Sequence, residues 1–460
     1  MVQLAVNGKT TCFRIHINGI VQGVGFRPFI YRLAVKYGIN GYIKNNSSGV
    51  DIEAEGAEKI IKEFVNNITD SAPPLTKIES LEINRIAPGF YTKFNIIESS
   101  RDIQAATLIP PDISICDECL KELFDPSDRR YLYPFINCTN CGPRYTIIEG
   151  VPYDREATTM KEFKMCEECT AEYSDPMSRR FHAQPNACSN CGPQVKLTDN
   201  RSSEIICDDP IKESVELLLM GRIIAVKGLG GFHLACDAEN DKSVALLRVR
   251  KKRADKPFAV MVKDMETLRT FAEVSIAEEK LLISNRRPIV LLKKNLPNTI
   301  SKYVSPGVNR IGAFLPYTPM HYMLMQGIYR ALVMTSGNIS EEPIIKDNFG
   351  AYETLRCIAD YFLVHDRDIY QRNDDSVLSV NNGRPYPLRR SRGFVPEPVI
   401  LRKSIPSILA CGADLKNTFC ITRDDKAFLS RYNGDLSNNG SYSAFINNVE
   451  DMKVLLEIQP

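Results

Sequence analysis

The sequence of 460 residues lacks the marks of several large protein classes. It contains no run of 18 apolar residues, so we expect no helix that spans a membrane. Its formal net charge is only +2, which gives no overall electrostatic attraction to nucleic acid or to anionic lipid. The motif G-x-x-x-x-G-K-[ST] is missing as well, so any ATP chemistry must proceed without a P-loop.

The overall composition is that of a globular protein. Hydrophobic residues make up 43% and charged residues 25% of the chain, and its length predicts about three domains. The opening residues Met1–Leu4 do not resemble a signal peptide. Outside the pattern described next, the cysteines are scattered in mostly apolar contexts, which predicts reduced, buried thiols and a cytoplasmic protein. They are Cys12, Cys207, Cys236, Cys357, Cys411 and Cys420.

A duplicated cysteine pattern dominates the chain. Both copies read C-x2-C-x18-C-x2-C, they lie 50 residues apart, and their flanks Asp-Pro, Arg-Arg and Asn-Cys-Gly-Pro recur with them. Because spacing and flanks repeat together, a disulfide framework or unrelated thiols are poor alternatives. Two C-x2-C turns complete a closed tetrahedral shell without room for a substrate, which predicts two structural zinc ions. The ligands are Cys116, Cys119, Cys138 and Cys141 in one copy, and Cys166, Cys169, Cys188 and Cys191 in the other.

Four segments follow from the hydrophobic patterns. Residues 11–98 alternate strand and helix signals in the order βαββαβ, ending in a strand at Phe94–Ile96, which predicts a small ferredoxin-like α+β domain. Residues 105–200 hold the cysteine pattern. Residues 208–398 alternate strands and helices and predict a larger α/β domain, and residues 407–460 begin with a hairpin-like pattern.

A glycine-rich loop at Gly19–Pro28 joins the first strand to the first helix. Converging backbone amides at a helix start can bind an anion, and Arg27 adds a bidentate phosphate-binding group, although such a loop can also be only a turn. The segment V-Q-G-V-G-F-R, with Gly41–Asn45, resembles acylphosphatase. The resemblance implies that Arg27 binds the phosphoryl group and that Asn45 orients the attacking water. It also implies a phosphate loop of Gln22, Gly23, Val24 and Gly25.

A basic run at 248–256 contains six cations within nine residues. Alone it would fit a solvated helix end or a nucleic-acid patch. With Thr335–Asn338 it resembles the K-x-R…S-x-N signature of threonylcarbamoyl-AMP synthases, whose fold is called YrdC-like. Adenylation needs a charge clamp on the triphosphate as pyrophosphate leaves. The resemblance implies ATP, together with Mg²⁺, bound by Lys251, Arg253, Lys256, Ser336 and Asn338, and by Ser376 and Arg390 from two later motifs.

A second glycine-rich motif, K-G-L-G-G-F-H-L, covers Lys227–Leu234 after a predicted strand. Such turns often approach a ligand closely and equally often only reverse the chain. His233 by itself is more typical of a structural histidine than of a catalyst.

The order of these parts resembles the carbamoyltransferase HypF family of [NiFe]-hydrogenase maturation. The motifs T-S-G-N-I-S-E-E-P and R-N-D-D-S-V extend the resemblance over residues 11–460. It implies that carbamoyl phosphate is cleaved at the first site and that carbamate is adenylated with ATP at the second. The carbamoyl group would then pass to a C-terminal cysteine of the partner HypE. Because carbamate is short-lived in water, this scheme requires an enclosed passage.

The last segment departs from the family. Residues 410–418 and 430–436 resemble the opening strands of an actin-like ATPase-type domain, and no H-x-x-x-H motif occurs in the sequence. We therefore expect a truncated or split form whose own residues do not perform the final transfer. Two other functions stay open: a tRNA-modifying threonylcarbamoyl-AMP synthase and a zinc-stabilised RNA-binding protein. The appended acylphosphatase pattern disfavours the synthase, and the near-neutral charge disfavours RNA binding.

Overall fold

The computed structural model describes residues 10–46, 49–73, 75–97, 108–150, 153–339 and 342–460. The predicted domain limits at residues 98 and 105, and residues 340–341 of the motif after Asn338, lie outside these ranges. The described chain forms three sheets of five, eleven and three strands. None of its helices is both long enough and apolar enough to cross a bilayer.

The first sheet carries two helices and has the strand order β4-β1-β3-β2-β5. Inward residues of its central strands, such as Ile15, Ile17 and Ile52, are fully buried against Ile30 and Phe64 of the helices. This alternation gives one polar and one buried face, as in other antiparallel sheets. The elements are β1 (Thr10–Ile20), α1 (Phe26–Tyr37), β2 (Asn40–Asn46), β3 (Gly49–Ala57), α2 (Glu58–Asp70), β4 (Lys77–Ile86) and β5 (Phe94–Ile96).

The predicted βαββαβ order is present, but its last strand is β4 and not Phe94–Ile96. The latter forms β5, a fifth short strand parallel to β2. Strand β4 is an exposed edge strand, and its pairing with β1 shifts register after Asn18. The shift leaves Glu79 as an extra residue, so apolar residues of β4 lose the period of two that marks a strand. Gly19 makes room, since a Cβ there would lie 2.0 Å from the Lys77 carbonyl oxygen.

The cysteine module has two short helices, each of which begins directly after the first cysteine of its repeat. They are α3 (Asp117–Phe124) and α4 (Glu167–Ser174). The module ends in β6 (Val195–Asp199), which pairs antiparallel with a strand of the second sheet. The sheet therefore crosses the domain limit that the sequence predicts at residue 200.

The second sheet is mixed and has the order β16-β15-β11-β12-β9-β13-β8-β7-β14-β6, with β10 paired to β11. The strands are β7 (Ile224–Lys227), β8 (Phe232–Asp237), β9 (Ala259–Val262), β10 (Ala272–Glu273), β11 (Ile289–Lys294), β12 (Arg310–Phe314), β13 (Ala331–Ser336), β14 (Tyr361–His365), β15 (Val377–Asn381) and β16 (Arg384–Arg389). The helices between them are α5 (Pro210–Leu219), α6 (Asp241–Arg250), α7 (Met265–Phe271), α8 (Ile276–Ile283), α9 (Pro319–Leu324) and α10 (Asn348–Leu355). They match the predicted alternation of strands and helices.

Both faces of this sheet are covered. The cysteine module, α5 and α9 share one buried cluster with residues such as Ile224 and Val226. Helices α6, α7, α8 and α10 share the other cluster with Ala225 and Val260. Strands covered on both sides read as continuous apolar runs, which is why these segments show no alternation in the sequence.

The last segment forms β17 (Val399–Ile405), β18 (Leu409–Ala410), β19 (Cys420–Leu429) and α11 (Asn439–Leu456). Phe419, Ile421 and Phe428 pack on Phe445 and Met452 of α11. The expected strands at 410–418 and 430–436 are for the most part loops on either side of β19, because the long strand lies between the two motifs.

Candidate functional site

The eight cysteines of the duplicated pattern meet as two sets of four sulfur atoms, and within each set these atoms lie within 4.8 Å of one another. Neighbouring Sγ atoms are 3.7 Å apart for Cys116 and Cys138, and 3.6 Å apart for Cys169 and Cys191. Four zinc–sulfur bonds of about 2.3 Å in a tetrahedron place sulfur atoms about 3.8 Å apart, whereas a disulfide needs about 2.05 Å. No cysteine of the chain forms a disulfide. Both sets therefore suit zinc.

The two cysteine sets stabilise each other through paired arginines. Arg129 of the first repeat donates to Cys169 Sγ of the second at 3.1 Å, and Arg179 of the second donates to Cys119 Sγ of the first at 3.6 Å. Arginine N–H groups offset the negative charge of a four-thiolate site. Each Arg-Arg flank in the sequence therefore contacts the cysteine set of the other repeat.

Two glutamates hold these arginines in place. Glu172 accepts hydrogen bonds from Arg129 at 2.7 Å and from Arg130 Nη1 at 3.0 Å. Glu122, at the same position of the first repeat, pairs with Arg179 and Arg180. Burial by itself would raise the pKa of Glu172, but the hydrogen bonds from Arg130 and Arg129 lower it to about 2. The module is therefore an ion-paired unit as well as a metal site.

The predicted phosphate loop turns sharply before α1. Gly23 and Gly25 adopt positive φ values of 67° and 74°, which bring the loop amides to the start of the helix. Gln22 donates from Nε2 to the carbonyl oxygens of Asn46 and Gly49, both at 2.8 Å. These bonds tie the loop to the β2–β3 connection, next to Asn45.

Arg27 lines the cavity of this first site, and Asn45 lies on β2 outside the lining residues. Burial lowers the pKa of the Arg27 guanidinium, and the nearby Asp154 carboxylate opposes this change. The Oδ1 atom of Asn45 is buried and has no hydrogen-bond partner among the described residues. A buried acceptor of this kind is suited to a bound water or ligand. The roles of Arg27 and Asn45 that the acylphosphatase resemblance implies stay predictions.

The cysteine module forms one side of the first site. The loop, Arg27 and the module line a cavity of about 40 Å³ that is open to solvent. Its other walls include Thr139, Arg144, Tyr153, Phe181, His182 and Gln184. Sequence reasoning missed these residues, because they come from a segment more than 100 positions away.

The predicted nucleotide site is a cleft of about 420 Å³, which is large enough for a small-molecule ligand. Lys251 donates from Nζ to the Ser336 carbonyl oxygen at 2.7 Å and to Asn338 Oδ1 at 2.9 Å. Arg253 donates to Thr335 Oγ1 at 3.2 Å. The structure therefore brings the basic run of 248–256 against the Ser-x-Asn motif, as the sequence predicts.

The cations of the cleft are partly desolvated and close to one another. Burial, followed by Arg253 and Lys256, lowers the pKa of Lys251 to about 7. Burial also lowers the pKa of Arg253 to about 10. A polyanionic ligand would bind well to these side chains. It would favour their protonated forms and offset the repulsion between their positive charges.

Two predicted nucleotide contacts, Ser376 and Arg390, do not line this cleft. Ser376 is fully buried, and its hydroxyl donates to the Arg392 carbonyl oxygen and accepts from the Ser391 amide, both at 2.8 Å. Arg390 bonds to the Glu397 backbone. Arg389, one position earlier, faces the cleft instead. Neighbouring residues at a strand end point to opposite sides, so an offset of one residue decides that Arg389 lines the cleft and the half-buried Arg390 does not.

The last segment adds residues that sequence reasoning did not assign to the cleft. Arg431, Tyr432 and Asp435 line it together with Asp374. The Arg389 guanidinium lies 4.2 Å from the centre of the Tyr432 ring, a cation–π contact. The sequence contains the R-Y-N-G-D motif that starts at Arg431, but nothing in the sequence predicts that this motif lines the nucleotide cleft.

His233 of the K-G-L-G-G-F-H-L motif contributes to neither site. Its Nε2 atom lies 3.1 Å from Asp375 Oδ2, and Arg392 Nε donates to Asp375 Oδ1 at 2.6 Å, all in the interior. At Gly230 a Cβ atom would lie 2.2 Å from the Asn373 carbonyl oxygen. Here the glycine permits close packing of the backbone, and the histidine belongs to a buried ion-paired cluster.

Four family models match the chain in sequence order. They are described as acylphosphatase (residues 13–96), HypF finger (115–148 and 165–198), telomere recombination of the Sua5, YciO and YrdC type (216–391), and HypF Kae1-like domain (403–460). They follow one another in the order in which the chemical motifs occur along the chain.

Known relatives match nearly the whole chain. Carbamoyltransferase HypF2 of Cupriavidus necator is 46% identical over 99% of the chain and 59% of its own length. The probable carbamoyltransferase HypF of Methanocaldococcus jannaschii is 49% identical over 94% of the chain and 56% of its own length. A crystal structure of full-length HypF in a phosphate- and nucleotide-bound form has 48% sequence identity and a TM-score of 0.92, and covers 98% of the chain and 59% of that protein.

The chain thus spans slightly less than three fifths of the length of the curated relatives that it matches. Over that length the fold agrees with that of the similar HypF structure. The chain belongs to the HypF carbamoyltransferase family.

Proposed function

We propose that the chain cleaves carbamoyl phosphate at Arg27 and converts the released carbamate with ATP into carbamoyl-adenylate in the Lys251 cleft. The observation that carries this proposal is the convergence of Lys251 and Arg253 on the Ser336–Asn338 segment, in a chain that also holds an acylphosphatase-type loop. The similar HypF structure, described as phosphate- and nucleotide-bound, supports two sites for such ligands.

In the first step, the loop amides and Arg27 hold the phosphoryl group, while Asn45 Oδ1 accepts a hydrogen bond from the attacking water. The water oxygen bonds to phosphorus as the bond to the carbamate oxygen breaks, so that phosphate and carbamate leave. An acyl phosphate already carries a good leaving group. Positioning and charge stabilisation can therefore suffice without a strong general base.

In the second step, a carbamate oxygen bonds to the α-phosphorus of ATP as the bond to the β-phosphate oxygen breaks. Pyrophosphate leaves and carbamoyl-adenylate remains. Lys251, Arg253 and Lys256 would hold the triphosphate, and Arg389 replaces Arg390 in this proposal because it faces the cleft. Bound Mg²⁺ would neutralise part of the phosphate charge.

The two zinc ions that we propose are structural. Each cysteine set offers four thiolates, which leaves no coordination position for a substrate. Their contribution is to hold the module that joins the first site to the large sheet.

We further propose that the carbamoyl group is destined for the C-terminal cysteine of a HypE-type partner, on the way to a hydrogenase cyanide ligand. This part rests on family membership, and the relatives that carry the carbamoyltransferase name are longer than this chain.

The test is pyrophosphate release from ATP with and without carbamoyl phosphate. Release should depend on carbamoyl phosphate, and threonine with bicarbonate should not replace it. Arg27→Ala should abolish carbamoyl phosphate hydrolysis and retain ATP binding. Arg253→Ala should lose ATP binding and retain carbamoyl phosphate hydrolysis. Lys263→Ala, an exposed cation in the same domain, is the matched control. Loss of both activities, or of neither, in a folded Arg253→Ala protein would contradict the two-site proposal.

A further inference from the structure

The two cysteine repeats carry different side chains at several equivalent positions, and one of these lies at the first site. Leu132 and His182 lie 50 residues apart and share the left-handed backbone, with φ values of 53° and 51°. Leu132 packs against the hydrophobic cluster of its own module. His182 instead lines the cavity that holds the phosphate loop and Arg27. The same position of the fold thus packs on a hydrophobic cluster in the first repeat and lines the first site in the second repeat.

The ring of His182 is oriented by stacking, although the residue is exposed to solvent. Its ring stacks on Tyr173 with a centroid distance of 5.0 Å and an angle of 10° between the planes. The Tyr173 hydroxyl donates to Gln184 Oε1 at 2.6 Å. Burial, followed by the positive charge of Arg27, lowers the pKa of His182. The imidazole is therefore oriented by the Tyr173 ring and lines the same cavity as Arg27.

The cysteine module also leaves little space above the loop. A Cβ atom at Gly25 would lie 2.8 Å from Thr139 Oγ1, and one at Gly23 would lie 3.4 Å from the Tyr153 ring. The module therefore packs directly on the loop and narrows the approach to it.

We infer that the cysteine module is the specificity wall of the acyl-phosphate site, and that His182 excludes acyl groups larger than carbamoyl. The inference rests on the proposed function of the first site and adds its substrate class. Carbamoyl phosphate carries only an amino group on its carbonyl carbon, whereas benzoyl phosphate carries a phenyl ring that would meet the His182 and Tyr153 rings. Pockets reject oversized groups in this way by excluding their volume.

The test compares hydrolysis of carbamoyl phosphate and benzoyl phosphate by the full chain and two variants. His182→Gly removes the wall and also suits the positive φ, so it should remain folded. We expect it to raise kcat/KM for benzoyl phosphate relative to carbamoyl phosphate by about tenfold or more. His182→Leu, which copies Leu132 of the other repeat, keeps the bulk and should keep the selectivity. Tyr131→Ala, at an exposed position of the first repeat, is the control.

The outcomes separate the two proposals. If His182→Gly protein with normal zinc content keeps the selectivity of the unmodified chain, the wall proposal is wrong. The proposed hydrolysis of carbamoyl phosphate would not be affected by that result. A lost selectivity in His182→Leu would overturn the steric basis, because the volume is retained. If the unmodified chain hydrolyses benzoyl phosphate as well as carbamoyl phosphate, the wall is refuted, and if it hydrolyses neither, the proposed function falls with it.

Discussion

Replacement of one carboxylate between the two cysteine sets should reveal how strongly they depend on each other. Glu172→Gln keeps the size of the side chain but removes the charge that anchors Arg129 and Arg130. Arg130 is almost completely buried, with 1% of its side chain exposed, so it would lose its carboxylate partner and keep the contact of Nη2 with Cys169 Sγ at 3.6 Å. Arg129 would lose the anchor that keeps it on Cys169 Sγ.

The size of the effect follows from two independent arguments. The pKa of Glu172 is lowered from its ordinary 4.5 to about 2, which corresponds to about 3 kcal/mol at about 1.4 kcal/mol per pKa unit. Loss of one partner from a buried ion pair typically costs about 3–5 kcal/mol. Because the lowered pKa belongs to a carboxylate, this stabilisation is fully present above pH 4.5 and is lost as the pH falls towards 2.

The assay follows urea unfolding and chelator-driven zinc release at neutral pH. We expect Glu172→Gln to lose about 3 kcal/mol of unfolding free energy and to release its zinc at least about tenfold faster. Glu118→Gln is the control, because Glu118 forms only an exposed pair with Lys121 one helical turn away. Unfolding and zinc release that match this control would refute the idea that the paired arginines couple the two cysteine sets.

Four further outcomes are expected. Freshly reduced protein should contain two zinc ions by metal analysis, and a single ion would contradict the duplicated site. Asn45→Ala should slow carbamoyl phosphate hydrolysis by about 10²–10³-fold in steady-state assays, and unchanged rates would remove its proposed role. Arg389→Ala should weaken ATP binding in calorimetry more than Arg390→Ala, and the opposite ranking would favour the original sequence prediction. ATP affinity should fall as the pH rises above about 7, where Lys251 loses its proton, and Lys251→Arg should abolish that dependence.

The sequence predicted best what depends on short-range spacing. Cys116 and Cys119, like the loop before Arg27, carry their chemistry within a few residues, so the spacing of residue types is enough to recognise it. Long-range geometry was harder to obtain. The position of Arg390 outside the cleft depends on where strand β16 ends, and the approach of His182 to Arg27 depends on how two domains dock. The difference between Leu132 and His182 was a usable signal, because a duplicated module diverges where its surroundings differ.

Strand β6 has a practical consequence for dividing this chain. It comes from the end of the cysteine module but covers the outer side of β14, whose Phe362, Leu363 and Val364 are buried. A fragment that began at residue 208 would leave the apolar strand β14 as an open edge, with unpaired amide and carbonyl groups ready to add another chain. Such a fragment should aggregate, whereas one that begins before Val195 would retain its own cover and should stay monodisperse.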